Sequence, residues 1–311
     1  MDNIFMPEGN PVRKHETAEY TKSLEGLEYA MQNGIILEAT AVLCDASHNL
    51  HIDLGGCKGI IPREETVYSP SGEPVKDIAI ITRVGKSVCF VVDKIDTSGE
   101  EVKIILSRKK AQQICCDYYV SRFENGDVID VTVTHLERFG VFCDIGCGMI
   151  GLLPIDCISV SRISHPSERF VCGQTIKCVV GNIDREICRV TLTHKELLGT
   201  WEENAAMFSA GETACGIVRS VEPYGIFVEL APNLAGLAEW CDGVSEGNVA
   251  AVYIKSIIPE KMKIKLVIVN VSSQNPRENT VSEEYFFEGN HMDFWRYSPK
   301  SSEREIYTSF N

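Results

Sequence analysis

Two phenylalanines three residues apart, Phe139 and Phe142 in "ERFGVFCDIG", flank a glycine and follow directly on Arg138. In a regular strand that spacing sends the rings to opposite faces, one into a core and one into solvent. Gly140 changes this, because glycine adopts backbone conformations closed to other residues. A bulge there would turn both rings to one surface. Paired rings on a surface stack flat, π-faced ligands, and every nucleobase is one, at roughly 1–3 kcal/mol per base. Arg138, Lys177 and Arg189 could place positive charge for phosphates beside them. The rival reading, that both rings fill a core or cover a neighbouring domain, is not separated from this one by spacing alone.

The grouping occurs again. "NGDVIDVTVTHLERFGVFCDIGCGMIGLLP" from Asn125 and "AGETACGIVRSVEPYGIFVELAPNLAGLAEW" from Ala210 share one order of features: glycine and acid, alternating strand, polar step, aromatic-Gly-apolar-Phe, acidic strand end, Gly-Leu. One offset separates Gly126 from Gly211 and Phe139 from Tyr224, so the chain carries an internal repeat. An aromatic repeated beside a glycine favours the surface reading and adds Tyr224 and Phe227 to the candidates. A weaker copy, "NGIILEATAVLCDASHNLHIDLGGCKGIIP", starts at Asn33 and has His48 and His51 in place of the rings.

The elements that must hold these residues are strands. Period-two alternation is clear in "VIDVTVTH" and "ICRVTLTH", and the middle copy reads as strands at about 128–135, 140–146, 148–153, 173–183 and 187–193. The connection "IDCISVSRISHPSERFVCG" carries a helical turn, and the first copy has a hairpin-like insert, "YSPSGEPVKDIAIITRVGK". Five strands with one long connection in so short a span predict a small closed Greek-key barrel. Tyr20, Leu24, Leu27 and Met31 at helical spacing predict an amphipathic arm. The fold class is all-β with linking helices, in three tandem five-stranded barrels. The divisions are a helical arm at 1–33, barrels at 34–113, 124–198 and 211–273, linker helices at 114–123 and 199–210, and a hairpin-like tail at 274–311 whose aromatics are read as packing on the last barrel.

Composition narrows the function. The formal net charge of −14 argues against a general polyanion binder, but most of the excess lies outside the three copies, which leaves room for local, salt-sensitive patches. Thirteen cysteines with no CxxC pair, several inside apolar runs such as "SVCFVV", read as free thiols in a reducing compartment, not as zinc ligands or a disulfide scaffold. His48 and His51 have no nearby Cys or His, so no metal is expected. "SHPSERF" reads as a turn with a helix start, not a triad, and the pairs Glu64-Glu65, Glu202-Glu203 and Glu283-Glu284 as solvated faces. No phosphate loop or dinucleotide fingerprint occurs, so neither a catalytic residue nor a cofactor is assigned. The N-terminus has no secretory pattern and no stretch approaches a membrane span, so the protein reads as cytoplasmic.

"RFGVFCDI", then "GLLP", then "GQTIKCVVGNIDREICRVTLTHKE" closely resemble the RNA-binding domain of ribosomal protein S1. The likeness is close over 124–196, moderate over 211–271 and faint over 34–110. It implies oligonucleotide-binding (OB-fold) barrels and single-stranded RNA, with mRNA and the small ribosomal subunit as partners and no membrane or small-molecule substrate. It casts Phe139, Phe142, Tyr224 and Phe227 as base-stacking residues, with Asp184 and Arg189 beside them and Arg185 competing for the basic role. The family's His falls on Pro154, on Pro62 in the first copy and on Ala238 in the third, where Pro259 stands for the Asp. RNA contact should then weaken from the middle copy to the third. The leading function is non-enzymatic RNA binding. The rivals are a protein-interaction scaffold of barrels and, last, an RNA-processing enzyme accessory.

Overall fold

The computed structural model describes residues 5–70, 72–99, 102–272 and 285–311. Two compact units emerge. One is Met1–Phe123 with Cys143–Gly151 and Ile183–Val190; the other is Glu124–Phe142 with Leu152–Asn182 and Thr191–Asn311. Each is described by itself.

In the first unit the helical arm is two helices, α1 (Pro11–Thr21) and α2 (Leu24–Asn33). The break falls at Ser23, whose hydroxyl accepts the Gly26 N–H at 3.0 Å and starts the second helix. Gly34, at φ 61°, ends α2 in the left-handed conformation that glycine adopts without strain. Leu27 and Ala30 of α2 enter the core of a barrel built from β1 (Leu37–Cys44), β2 (Leu50–Asp53), β3 (Lys58–Ile61), β4 (Ser87–Asp96) and β5 (Lys103–Ser107). Its strand order is β1-β2-β3-β5-β4, closed through β1 and β4, with β3 and β5 parallel. The insert expected to be hairpin-like instead carries α3 (Asp77–Ile81). Of its three isoleucines only Ile80 is buried, so one apolar contact seats a single helical turn.

From β5 the chain turns straight into α4 (Arg108–Tyr118), with the Ser107 hydroxyl accepting the Lys110 N–H. Arg108 is buried against Glu8, its Nε at 2.7 Å from Oε1 and its Nη2 at 3.0 Å from Oε2. Burial alone would raise the Glu8 carboxyl; Arg108, Arg83 and the Cys89 N–H outweigh it and hold Glu8 below the ordinary carboxylate range. Asp144 accepts the Glu8, Gly146 and Gly148 N–H groups at 2.8, 2.8 and 3.0 Å. Burial and then the Glu8 charge push its pKa up to about 7 despite those bonds. One cysteine expectation is corrected: Cys116 of α4 and Cys188 form a disulfide. Their Cα atoms lie 6.6 Å apart, a proximity that no local spacing announces.

The middle barrel comprises β6 (Val128–Glu137), β7 (Gly140–Gly146), β8 (Met149–Pro154), β9 (Thr175–Asp184) and β10 (Arg189–Thr193). Its cyclic order, β10-β8-β7-β6-β9, is that of the first barrel. In the connection before β9, the His165 ring accepts the Ser167 N–H and the Glu168 carboxylate accepts the His165 N–H, so "SHPSERF" is a capped helical turn. The short α5 (Trp201–Ala205) leads to a third barrel of β11 (Thr213–Glu222), β12 (Gly225–Ala231), β13 (Leu234–Ala238), β14 (Val249–Ile258) and β15 (Lys263–Ser272), again closed in the same order. Three closed five-stranded barrels of one topology give the expected OB-fold class.

Within the second unit the third barrel's strand-end acid, Glu229, is buried between two arginines. Its Oε2 lies 2.7 Å from Arg169 Nη2 and 2.6 Å from Arg219 Nε, and Arg219 also binds Glu168. The tail pairs β16 (Phe294–Arg296) with β17 (Tyr307–Ser309). Trp295, Tyr297 and Phe310 join the third barrel's core, whereas Phe294 and Tyr307 stack on each other in solvent. Glu283 and Glu284 lie outside the described residues. No helix among the described residues is long and apolar enough to cross a membrane.

Candidate nucleic-acid interface

Both rings of the middle barrel lie on one surface. Phe139 is 55% exposed, Phe142 is half-buried, and they meet edge to face with centroids 5.8 Å apart and planes at 87°. The device is a turn, not the expected bulge at Gly140. β6 ends at Glu137 and β7 begins at Gly140, so Arg138 and Phe139 form a two-residue connection, and Phe139 escapes the alternation that would oppose it to Phe142. Gly140 serves close approach instead: a Cβ there would collide with the Leu153 carbonyl oxygen on the facing strand. The Phe139 carbonyl accepts the Ile155 N–H at 3.0 Å, which fixes the turn from the other side.

The third barrel reproduces this. Tyr224, 69% exposed, meets Phe227 edge to face at 6.2 Å and 85°, and Gly225 lies against the Ala238 carbonyl as Gly140 lies against that of Leu153. That equivalence pairs Ala238 with Leu153. Glu239, not Ala238, therefore stands at the place of Pro154, one residue from the sequence assignment. A bulge does occur in β11, between Val218 and Ser220, and Arg219 is the extra residue that reaches Glu229.

His135 joins the middle pair, stacked on Phe142 with centroids 6.4 Å apart and planes at 23°. Sequence reasoning missed it because strict alternation from the buried Ile129, Val131 and Val133 points residue 135 inward. Its ring is exposed instead and contacts Glu137 at 2.9 Å. Edge-to-face rings beside a stacked imidazole offer a face and two edges to a planar ligand.

The candidate charges are distributed unevenly. Arg138 is exposed within the ring-bearing turn. Lys177 pairs across strands with Asp130, Nζ to Oδ1 3.3 Å. Phe142 is anchored at Thr134, whose hydroxyl donates to its carbonyl, and Asp130 lies four residues further along β6, about 13 Å at ~3.3 Å per residue. Lys177 is therefore set apart from the rings. Asp184 and Arg189 belong to the first unit, at the end of β9 and the start of β10, both exposed. There Arg185 donates to the Ser121 and Phe123 carbonyls at 2.5 and 2.9 Å, which commits it to the backbone and leaves Arg189 as the available cation of the two.

In the first barrel His51 is held by Asp45 at 3.2 Å and His48 lies 3.9 Å from Asp77, so neither ring forms an aromatic pair like those of the other barrels. Asp45 is held down to about 2, chiefly by hydrogen bonds from Asn49 and then from His51 and Ser47. Among the described residues no group of three or more His, Cys, Asp or Glu side chains could hold a metal ion.

Residues 122–195 match the S1 RNA binding domain family. The chain is 28% identical over 309 residues, 96% of its length, to the small ribosomal subunit protein bS1 homolog of Bacillus cereus, covering 76% of that protein. It is 29% identical over 247 residues to small ribosomal subunit protein bS1 of Rhodopseudomonas palustris, covering 76% of this chain and 41% of that protein. The Staphylococcus aureus bS1 is 28% identical over 267 residues, 83% of this chain and 64% of that protein. The chain thus spans less than half of one of these relatives and about three-quarters of another.

Proposed function

We propose that the chain is a non-enzymatic protein that holds single-stranded RNA, because residues 122–195 match the S1 RNA binding domain family and 96% of the chain is similar to a small ribosomal subunit protein bS1 homolog. The RNA is mRNA in translation, presented in the cytoplasm to the small ribosomal subunit. The observation that carries the reading is the edge-to-face Phe139–Phe142 pair, at the surface of the middle barrel and reproduced by Tyr224–Phe227.

In this reading bases stack on the rings of the second unit, with Arg138 and Lys177 acting on the phosphates; Asp184 and Arg189 belong to the first unit and are offered as RNA contacts there. Stacking is sequence-tolerant because every base has a π-face. The net charge of −14 keeps the electrostatic contribution small, so the salt slope is modest. The segments 34–113, 124–198 and 211–273 act as successive modules behind a helical arm at 1–33. The linkers are 114–123, which takes up the end of α4, and 199–210, which contains α5, and the segment 274–311 follows the third module. Modules in series gain affinity through effective concentration.

The test is fluorescence anisotropy with labelled oligo-U at low and physiological salt. Replacing both Phe139 and Phe142 by Ala weakens binding roughly tenfold or more, on the order of 1.4 kcal/mol, with the circular dichroism spectrum retained. Unchanged affinity in the folded double mutant would overturn the stacking assignment; no binding at low salt would move the reading to a protein-interaction scaffold.

A further inference from the structure

The chain has three tryptophans, of which Trp201 and Trp295 are buried and Trp240 is 53% exposed. Trp240 lies just beyond β13. The β12–β13 ladder pairs Phe227 with Leu237 and Ile226 with Ala238; continued antiparallel by two residues, it sets Trp240 opposite Tyr224. In the middle barrel that place, opposite Phe139, belongs to Ile155, whose N–H bonds the Phe139 carbonyl. The third barrel thus puts a large π-surface where the middle barrel has an aliphatic side chain.

Positive charge lies on the same outer face. Leu237 also pairs with Lys265 on β15, so Phe227, Leu237 and Lys265 form one row across three strands, with the lysine exposed. Lys263 shares its side of β15, since the intervening Ile264 is buried. Lys255 of β14 reaches Glu239, the residue before Trp240, at 3.8 Å. The β14–β15 turn also matches the β9–β10 turn: Met262 (φ 47°) and Cys188 (φ 48°) each sit left-handed directly before the last strand, which puts Lys263 in the place of Arg189. The acidic neighbours in sequence are Glu222, Glu239 and Asp242, of which Glu239 faces Lys255.

We propose that Trp240 extends the Tyr224–Phe227 pair into a second base-stacking site for single-stranded RNA, with Lys255 and Lys265 placed for its phosphates. This rests on the RNA-binding reading and adds to the third barrel a ring that the expectation of a weaker contact there did not count. Tryptophan presents the largest π-face of any side chain, and stacking on it is indifferent to base identity.

The tryptophan is its own reporter. Oligo-U is titrated into the full chain while intrinsic tryptophan emission and the anisotropy of labelled oligo-U are followed in parallel. The same titration is run on the Phe139→Ala/Phe142→Ala protein, with and without Trp240→Ala, and on Trp240→Phe. Saturable quenching is expected in the wild type and, at weaker affinity, in the Phe139→Ala/Phe142→Ala protein. Adding Trp240→Ala removes the quenching and lowers the remaining affinity by roughly tenfold. Trp240→Phe keeps most of the affinity, and Lys255→Ala/Lys265→Ala flattens the salt slope. Binding by anisotropy with unchanged emission, and equal affinity with and without Trp240→Ala, would overturn this site while leaving the RNA-binding reading intact. Absence of any anisotropy change in the wild type would overturn both.

Discussion

The Glu229 ion site gives the sharpest prediction about stability. The side chains of Glu229, Arg169 and Arg219 are 5%, 7% and 9% exposed, and both guanidinium groups converge on one carboxylate oxygen. Glu229→Gln removes the charge and keeps the shape, leaving two buried cations with Glu168, which contacts Arg219, as the remaining carboxylate of the group. Breaking a buried pair by neutralising one partner costs about 3–5 kcal/mol, and the retained amide oxygen places this case near the lower end, about 3 kcal/mol. For a unit of this size each kcal/mol moves Tm by about 2–4 °C, so the midpoint falls by about 6–12 °C. Thermal unfolding followed by circular dichroism, beside urea titration of the same protein, measures it. Replacing the group as a set, Glu229→Leu with Arg169→Met and Arg219→Met, should recover most of the loss, because apolar packing of similar volume matches a buried ion group. A Glu229→Gln protein within about 0.5 kcal/mol of wild type would refute the reasoning, as would a triple variant no more stable than the single one.

The remaining predictions concern pH and close packing. Asp144 binds its proton more tightly folded than unfolded, with its pKa raised to about 7, so its contribution favours the fold at low pH and is lost as pH rises from about 4 to about 7. Asp144→Asn should remove that slope from urea midpoints taken across pH 5–8. His291 is raised by its bond to Asp127 and then by Asp293, so its stabilisation is full below the ordinary histidine value and declines as pH rises through the folded one. A His291→Gln variant separates this decline from that of Asp144, since each substitution should flatten its own part of the curve. Gly140→Val should cost about 1–3 kcal/mol by driving the valine into the Leu153 carbonyl, and should weaken oligo-U binding as the Arg138–Phe139 turn shifts; unchanged stability would show that the strands separate freely there.

Much of the fold was legible because its signals are local. Alternation in "VIDVTVTH" marked β6, and the expected strand 140–146 is β7 to the residue. The repeat turned one doubtful ring spacing into a pattern, and both ring pairs lie at the surface with nearly the same geometry. Local signals failed where a turn or bulge resets the alternation. The bulge was expected at Gly140 but sits at Arg219 in the third barrel, and His135 came out beside Phe142 against the parity of its strand. The insert before β4 read as a hairpin and holds a helical turn, since one buried isoleucine suffices to seat it.

By itself, then, the sequence determined the strands, their order in three copies, and the residue types that could stack on a base, because these follow from the period of the backbone and from turn chemistry. Only the tertiary structure decided which charges are available and which are committed. Glu8 meets Arg108 a hundred positions away, Arg185 is committed to the Ser121 and Phe123 carbonyls while Arg189 stays exposed, and Cys116 finds Cys188. The same acidic strand end becomes an Asp144 with a raised pKa among backbone N–H groups and an arginine-bound Glu229. The physical reason is that burial and long-range partners set the energy of a charge, and neither is written in the residues beside it.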